Sequence, residues 1–217
     1  MCLESSGQAL SQTLGIGKGS VTLEDIHNAE VIMVVGQNPG TNHPRMLSAL
    51  QKCKRNGGKI IAVNPLPETG LMGFKHPQQV GDLVTGGTSL TDNFLQVRIN
   101  GDVPLAKALL LMLLEAEEAK PGSVFDHEFI EEYCSGYKEL IGNLKKQNLH
   151  EMIESCGVEE ALLREAADLL IKHDKIIVCW AMGLTQHKNA VTNIKELVNL
   201  LLLKGAIGRE GAGTCPV

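Results

Sequence analysis

Four short apolar runs constrain the fold of this chain more than any other feature of its sequence. They are Val31–Val35, Lys59–Val63, Phe94–Ile99 and Lys175–Trp180. Short, continuous apolar runs are typical of strands that are buried on both faces of a sheet, and helix-like segments separate these four. Alternating strands and helices predict an α/β fold. We therefore expect a doubly wound, mostly parallel, Rossmann-like sheet with helices on both faces and a helical insert.

Helical spacing and capping residues define the segments between the runs. Thr22 and Asp25 have the spacing of a capping box, and Asp102 and Asp126 each stand where they can cap a following helix. Leu66–Asn93 has few apolar runs, which predicts a long loop, and loops of this length are often functional. The predicted helices are Pro44–Arg55, Val103–Glu118, Glu159–Lys172 and Val191–Leu203.

These elements divide the 217 residues into four parts. Residues 1–30 form a leading segment, and residues 31–123 form a first α/β portion. Residues 124–173 have helical spacing but no convincing strand, which predicts the helical insert. Residues 174–217 form a second α/β portion that ends in a glycine-rich loop.

Charge, aromatic content and cysteine spacing exclude several kinds of partner. The net charge is −5 and aromatic residues are 3% of the chain, so no nucleic-acid partner is expected. No apolar run approaches the roughly 20 residues that span a bilayer, so no membrane span is expected. The six cysteines form no CxxC pair, which argues against zinc or an iron–sulfur cluster held by this chain alone. We expect a cytoplasmic location, where thiols stay reduced.

Three polar segments follow predicted strands, at the sheet edge where α/β proteins bind ligands. They are Gly36–Arg45, Asn64-Pro65 and Trp180–His187. The first segment alone is equally typical of a strand-to-helix turn in which Asn38 and Asn42 are turn and cap residues. Taken together, the three segments favour a nucleotide-like ligand, with His43 and Arg45 as its cationic partners.

The remaining candidates are two glycine-rich segments and three cysteines. Gly15–Gly19 looks like a phosphate loop but follows no predicted strand. Gly205–Gly213 is typical of either a cofactor-lining loop or a poorly ordered tail. Cys53 and Cys179 lie in apolar patterns, which indicates packing residues. Cys2 lies instead among polar residues, where a near-terminal cysteine is usually incidental, although a thiolate stabilised by a metal would be a soft ligand.

Six parts of the sequence, taken in order, carry a resemblance to a known family. They are Cys2–Gly7, Gly15–Gly19, Gly36–Arg45, Lys52–Ile61 with Asn64-Pro65, Trp180–Gln186 and Gly205–Val217. Across essentially the whole chain, this ordered set resembles the molybdopterin oxidoreductase family, in the branch of formate dehydrogenase and its formate-dehydrogenase-like alpha-subunit relatives. No single motif is decisive, but the ordered set is specific.

The resemblance implies a bis(molybdopterin guanine dinucleotide) cofactor with a molybdenum or tungsten centre. Cys2 falls where the family places the cysteine or selenocysteine that ligates the metal, so the leading segment would carry a metal-ligand loop and a catalytic residue. A thiolate suits such a metal and tunes its redox potential. By resemblance, one guanosine diphosphate portion of the cofactor is held by Asn38, Thr41, Asn42, Asn64 and Asp102. The pterin side of the cofactor is lined by Met182, Gly183 and Gln186. The cofactor-binding set implied by the resemblance also includes Gly36 and His43.

The resemblance also implies a longer enzyme, of which this chain is the central cofactor-binding part. That enzyme would move two electrons between a small-molecule substrate and the metal and pass them to an electron-transfer partner. Any iron–sulfur cluster would belong to the remaining domains, so we expect this part alone to fold without turning over substrate. Leu3 stands where formate dehydrogenases carry a histidine, and Asn64 stands where the family has an aspartate. The change at Leu3 leaves formate unassigned as the substrate, whereas the change at Asn64 concerns the guanosine contacts.

Two other interpretations stay open on the sequence. In one, the chain is a non-catalytic nucleotide-binding α/β module, in which Gly36–Arg45 binds a guanine or adenine nucleotide and Cys2 has no role. In the other, the glycine-rich strand ends belong to a domain like the central domain of thiamine-diphosphate enzymes. Replacing Cys2 by Ala distinguishes the nucleotide-binding module from the hypothesis that Cys2 ligates the metal. If Cys2 is the ligand, the variant loses activity while the cofactor stays bound, and if the chain is the module, function is unchanged.

Overall fold

The computed structural model describes residues 2–74 and 89–217, and its centre is a sheet of five parallel strands. The strands are β1 (Val31–Val35), β2 (Lys59–Val63), β3 (Asn93–Leu95), β4 (Ile176–Trp180) and β5 (Gly213–Pro216), in the spatial order β3-β2-β1-β4-β5. Each neighbouring pair is parallel. From β1 the chain adds β2 and β3 on one side, and it then crosses back to add β4 and β5 on the other side. This order confirms the doubly wound α/β fold. The carboxyl ends of β1 and β4 consequently lie side by side at the point where the winding reverses.

Helices cover both faces of this sheet. Within the described residues they are α1 (Cys2–Leu14), α2 (Leu23–Asn28), α3 (Pro39–Asn42), α4 (Pro44–Arg55), α5 (Thr69–Met72), α6 (Asp102–Ala119), α7 (His127–Tyr133), α8 (Tyr137–Leu144), α9 (Leu149–Cys156), α10 (Glu160–Lys172), α11 (Met182–Thr185) and α12 (Ala190–Leu203). Along β1, Val31, Met33 and Val35 face a large core with α1, α6, α10 and α12, whereas Ile32 and Val34 face a smaller core with α2 and α4. Burial on both faces explains why β1 and β4 are apolar at every position.

The predicted strands differ from the structure at the two outer strands of the sheet. The prediction of a strand over Phe94–Ile99 is wrong beyond Leu95, because the N–H of Val97 turns back to the carbonyl of Leu95 over 3.0 Å. The edge strand β5 was not predicted, because the glycines before it obscure the apolar pattern. Its pairing with β4 shows that the chain after Gly205–Gly213 is ordered, not a loose tail.

Three predicted helix caps have different outcomes. The Thr22–Asp25 capping box is confirmed, and so is Asp126 as the N-cap of α7. The prediction that Asp102 caps a helix is wrong, because Asp102 is itself the first residue of α6 and Gly101 takes the N-cap position without a side-chain bond. The N–H of Gly101 is turned toward the carbonyl of Arg98 over 2.8 Å, and this turn starts the helix one residue early.

A buried carboxylate closes the turn after α6. Glu117 accepts hydrogen bonds from the backbone N–H groups of Gly122 (2.6 Å), Val124 (2.9 Å) and Phe125 (3.0 Å), and it lies 2.8 Å from the imidazole of His127. Burial alone would raise the pKa of Glu117, but these hydrogen bonds outweigh it and lower the pKa to about 2. We name this group of five residues the Glu117 clasp.

Between β3 and β4, the structure has the five helices α6 to α10, joined by turns and loops. The boundaries of the four predicted parts stay a prediction. Within the predicted loop Leu66–Asn93, the short helix α5 is present, and residues 75–88 lie outside the described residues. In the part of the chain that the structure describes, no helix is both long enough and apolar enough to cross a membrane.

Candidate functional site

The carboxyl ends of β1, β2 and β4 bring the three polar segments together. The N–H of Gly183, in α11 after β4, donates to the carbonyl of Gly36 over 2.9 Å. The side-chain amide of Asn64, directly after β2, donates to the carbonyl of Gln37 over 3.1 Å. The expectation that these segments share one edge of the sheet is therefore confirmed. We call this group the carboxyl edge.

Glycine is required on both sides of the contact between β1 and β4. Gly36 has a φ of +60°, and a Cβ on it would lie 2.7 Å from the backbone nitrogen of Leu184. A Cβ on Gly183 would lie 2.6 Å from the carbonyl oxygen of Gly36. Neither distance is possible without moving backbone, so the two glycines are what allow these loops to touch.

Asn38 organises the loop after β1. Its Oδ1 accepts the N–H of Thr41 over 3.1 Å, which makes Asn38 the N-cap of α3, and its Nδ2 donates to Glu68. The turn-and-cap interpretation is thus confirmed for Asn38. Thr41, Asn42 and His43 follow it and are exposed at the carboxyl edge. Their predicted contacts with a cofactor stay predictions.

Gln37 is a buried residue at this edge that the sequence did not single out. Its Nε2 lies 3.0 Å from the sulfur of Met46, and its Oε1 has no hydrogen-bond partner among the described residues. A buried polar atom left without a partner costs about 1–3 kcal/mol. The Oε1 atom therefore suits a donor that the described residues do not supply. Gln37 stands between a small residue, Gly36, and another polar residue, Asn38, so nothing in the sequence marks it out. Only its burial and its missing hydrogen-bond partner in the folded structure identify it.

Asp102 comes close to the segment that follows β4. Its Oδ2 lies 3.9 Å from the Nε2 of His187, and the Asp102 and His187 side chains are 11% and 20% exposed. Burial raises the pKa of Asp102, while the charge of His187 acts in the opposite direction. His187 was not among the predicted site residues. The two residues lie far apart in sequence, so only the fold could reveal their proximity.

Met182, Gly183 and Gln186 lie in α11 or directly after it. All three are exposed, and about half of the Met182 surface is accessible. The structure therefore presents the three predicted pterin-side residues on one short element, and their role stays a prediction.

Cys2 is the first residue of α1, and its side chain lies outside the described part of the structure. Helix α1 is fixed to the end of β4, because the indole N–H of Trp180 donates to the Ser6 hydroxyl over 2.9 Å. Among the described residues, no three His, Cys, Asp or Glu side chains are grouped to hold a metal. The metal-ligand role of Cys2 consequently stays a prediction.

Comparison with protein families decides the class of the chain. The family model described as molybdopterin oxidoreductase matches residues 4–216. The chain belongs to the molybdopterin oxidoreductase family. The resemblance carried by the ordered segments is thereby confirmed, and no other family is needed to account for the glycine-rich strand ends.

Relatives of this molybdopterin oxidoreductase chain are longer proteins. It is 51% identical over 217 residues to an uncharacterized oxidoreductase of Mycobacterium tuberculosis, covering 100% of this chain and 28% of the relative. It is 27% identical over 208 residues to the F420-dependent formate dehydrogenase subunit alpha of Methanocaldococcus jannaschii, covering 96% of this chain and 28% of the relative. The chain thus spans about 28% of the length of these relatives.

The fold of the molybdopterin oxidoreductase chain also matches a solved structure. Acetylene hydratase from Pelobacter acetylenicus superposes with a TM-score of 0.75 at 18% sequence identity, covering 96% of this chain and 25% of that one. At this identity the likeness concerns the fold alone. It confirms the arrangement of the parallel sheet and its helices.

Proposed function

We propose that this molybdopterin oxidoreductase chain is the central cofactor-binding part of a longer molybdenum- or tungsten-dependent enzyme, and that it binds bis(molybdopterin guanine dinucleotide). The observation that carries the proposal is the Gly36–Gly183 contact, which joins two polar loops at the reversal point of the sheet. Doubly wound sheets bind nucleotides at this point. The similarity to a formate dehydrogenase alpha subunit supports a formate-dehydrogenase-like enzyme.

The polar groups of the carboxyl edge fit a guanosine diphosphate portion. Thr41, Asn42 and His43 present a hydroxyl, an amide and an imidazole to solvent. Arg45 is exposed nearby in the chain and adds a fixed positive charge, which pairs well with phosphate. The unpaired Oε1 of Gln37 can accept a hydrogen bond from a base or a pterin. This set of donors and acceptors suits an anionic ligand rich in hydrogen-bonding groups.

Asn38, Asn64 and Asp102 have two different roles in this proposal. Asn38 and Asn64 are already engaged with backbone groups, so they shape the loops after β1 and β2 around the ligand. The Asp102 carboxylate lies 3.9 Å from His187 rather than in a close ion pair, and we propose that it accepts hydrogen bonds from a guanine ring. Met182, Gly183 and Gln186 would line the pterin side from α11.

Cys2 is proposed as the metal ligand and the catalytic residue. When bound, the cofactor supplies a metal centre that exchanges two electrons with a small-molecule substrate. The bond between Trp180 and Ser6 fixes α1, and so the backbone at Cys2, relative to the end of β4. The remaining domains of the longer enzyme would hold the other half of the cofactor, any iron–sulfur cluster and the contact with an electron-transfer partner.

The experiment that tests this function is analysis of the full-length protein from a host that makes the cofactor. Elemental mass spectrometry and release of guanine nucleotide should give near-stoichiometric molybdenum or tungsten together with guanine nucleotide. Folded protein repeatedly free of both would contradict the proposal and favour the non-catalytic nucleotide-binding module.

The role of Cys2 is tested separately by its replacement. Cys2→Ala should retain guanine nucleotide but lose one sulfur neighbour of the metal in X-ray absorption spectra. The matched control is Cys134→Ala, which removes a partly buried thiol after α7 and should leave the spectrum unchanged. An unchanged spectrum for Cys2→Ala would remove Cys2 from the metal site.

A further inference from the structure

Three reduced cysteines share the smaller core of the sheet. Cys53 lies in α4, Cys179 in β4 and Cys215 in β5, and all three pack on the same face. Cys179 and Cys215 are also direct register partners across the β4–β5 pair. Register partners of neighbouring strands point to the same face of a sheet, so these two thiols lie side by side.

The spacing of parallel strands suits a bond between these two thiols. Neighbouring strands are about 4.8 Å apart, whereas disulfides join residues whose Cα atoms are about 4.4–6.8 Å apart. The two thiols also interact, since each shifts the pKa of the other. Cys53 does not compete for Cys179, because its Sγ donates to the carbonyl of Ala29 over 3.3 Å.

The two thiols differ in access and in acidity. Cys179 is fully buried, whereas Cys215 is partly exposed and lines a cavity of about 870 Å³ beside His27, His43 and Arg45. The interaction with Cys179 lowers the pKa of Cys215, while the same interaction and burial raise the pKa of Cys179. A small oxidant that enters the cavity therefore meets the more acidic thiol first.

We propose that Cys215 and Cys179 form an oxidant-sensitive pair, in which a peroxide oxidises Cys215 and Cys179 then closes a reversible cross-strand disulfide. The proposal concerns the β4–β5 pair and does not depend on the identity of the cofactor. Reversible disulfides are the kind that occur in reducing compartments, where structural ones are rare.

The chemistry balances with hydrogen peroxide as the oxidant. The Cys215 thiolate attacks one peroxide oxygen, an S–O bond forms, the O–O bond breaks and hydroxide leaves, which gives a sulfenic acid. The Cys179 sulfur then attacks the Cys215 sulfur, an S–S bond forms and the S–O bond breaks. The proton of Cys179 accompanies the leaving hydroxide as water. One peroxide is reduced to two waters, and the two thiols are oxidised to one disulfide.

The disulfide has a defined place in the fold. It would join the edge strand β5 to β4 one residue before Trp180, whose carbonyl also accepts the N–H of Val217 over 2.9 Å. Adjacent parallel strands leave the bond little freedom, and disulfides under strain are reduced readily by dithiols. This agrees with a bond that forms under peroxide and is removed afterwards.

The test is differential alkylation and peptide mapping of the full-length protein, with and without hydrogen peroxide. Without peroxide, Cys215 should react with iodoacetamide faster than Cys53 and Cys179 in the folded protein. With peroxide, a peptide pair linked through Cys179 and Cys215 should appear, and dithiothreitol should remove it. No linked pair in folded protein, or a link from Cys179 to Cys53 instead, would overturn the proposal.

Two variants assign the order of the steps. Cys179→Ser should stop the reaction at a Cys215 sulfenic acid, which dimedone traps at a higher level than in the wild type. Cys53→Ser is the matched control, since it removes the third thiol of the same core and should leave the Cys179–Cys215 link intact. Loss of the link in Cys53→Ser would contradict the assigned pair. If Cys179→Ser does not fold, the wild-type map with and without peroxide still decides the outcome.

Discussion

The two buried carboxylates Glu117 and Asp102 are similarly hidden from solvent, yet their surroundings are opposite. Glu117 is 7% exposed and accepts hydrogen bonds from three backbone N–H groups and a histidine, and its pKa is lowered to about 2. Asp102 is 11% exposed, and its nearest charged partner, His187, is 3.9 Å away. Burial raises the pKa of Asp102.

The difference separates structural polar groups from groups that can receive a ligand. In the Glu117 clasp, backbone N–H groups and His127 fill the hydrogen-bonding capacity of the carboxylate, so it has no free position for a ligand. At the carboxyl edge, the Oε1 of Gln37 is buried without a donor among the described residues, and burial raises the pKa of the Asp102 carboxyl group. Burying a polar atom without a hydrogen-bond partner costs free energy, and a bound ligand that supplies the partner removes that cost.

The largest expected effect is in the clasp. Glu117→Ala leaves the buried N–H groups of Val124 and Phe125 without an acceptor, and we expect a loss of about 3 kcal/mol in the free energy of unfolding. The measurement is thermal unfolding and limited proteolysis of the full-length protein. The control is Glu118→Ala, an exposed neighbour paired with Lys145, which should change stability by less than about 0.5 kcal/mol. Equal effects of the two variants would contradict the role of the clasp.

A somewhat smaller effect is expected from the glycine contact at the carboxyl edge. Gly183→Ala places a Cβ 2.6 Å from the Gly36 carbonyl, so the loops after β1 and β4 must separate, at a cost of about 2 kcal/mol. Unlike the clasp variant, it should also lower guanine nucleotide content in the purified full-length protein. Gly142→Ala in α8 is the control, because nothing lies within 4 Å of its added Cβ. A normal guanine nucleotide content in Gly183→Ala would show that the Gly36–Gly183 contact is not needed for nucleotide binding.

The two carboxylates should respond to pH with opposite signs. The pKa of folded Glu117 lies below its ordinary 4.5, so its stabilisation is complete above pH 4.5 and is lost as the pH falls toward 2. The pKa of folded Asp102 lies above its ordinary 3.8, so its contribution favours the folded state at low pH and is lost as the pH rises through the raised pKa.

Melting temperatures measured against pH test these signs. Glu117→Gln should flatten the acid loss below pH 4.5, because the titrating group is gone. Asp102→Asn should instead steepen that loss slightly, because it removes a contribution that acts in the opposite direction. Asp168→Asn, on the exposed surface of α10, is the control and should follow the wild type. Two variants that change the profile in the same direction would contradict the assigned pKa shifts.

The fold was largely predictable, because local sequence signals determine it. The strands Val31–Val35 and Lys59–Val63 are apolar and buried on both faces at every position except Lys59, so their bounds could be read directly. The edge strand β5 could not be predicted, since Gly213 and Pro216 have low strand propensity and pairing with β4 decides its conformation. Asp102 resembles a cap in sequence, but the turn at Gly101 starts the helix earlier.

The candidate site was predictable only in part. The three polar segments could be assigned to one edge, because strands of a parallel sheet end on the same side. The Gln37 acceptor, the Asp102–His187 pair and the Cys179–Cys215 pair depend on contacts between residues far apart in sequence. No local pattern encodes such contacts, so these features required the folded structure.

The smallest expected effect tests whether Asp102 is kept ionised for a ligand. In His187→Gln the opposing charge is removed, so the pKa of Asp102 should rise further, with less than about 1 kcal/mol change in stability. Retention of guanine nucleotide by the full-length protein should then decline at a higher pH than in the wild type as the medium is acidified.

Two variants make this result specific. His150→Gln replaces an exposed histidine in α9 and should leave the midpoint of nucleotide retention unchanged. Asp102→Asn should lower retention at every pH and remove the midpoint, because an amide does not titrate. A midpoint that stays in place in His187→Gln, or moves to lower pH, would show that Asp102 does not accept hydrogen bonds from the nucleotide as a carboxylate. The carboxyl edge would then resemble the Glu117 clasp, with its charged groups serving the fold alone.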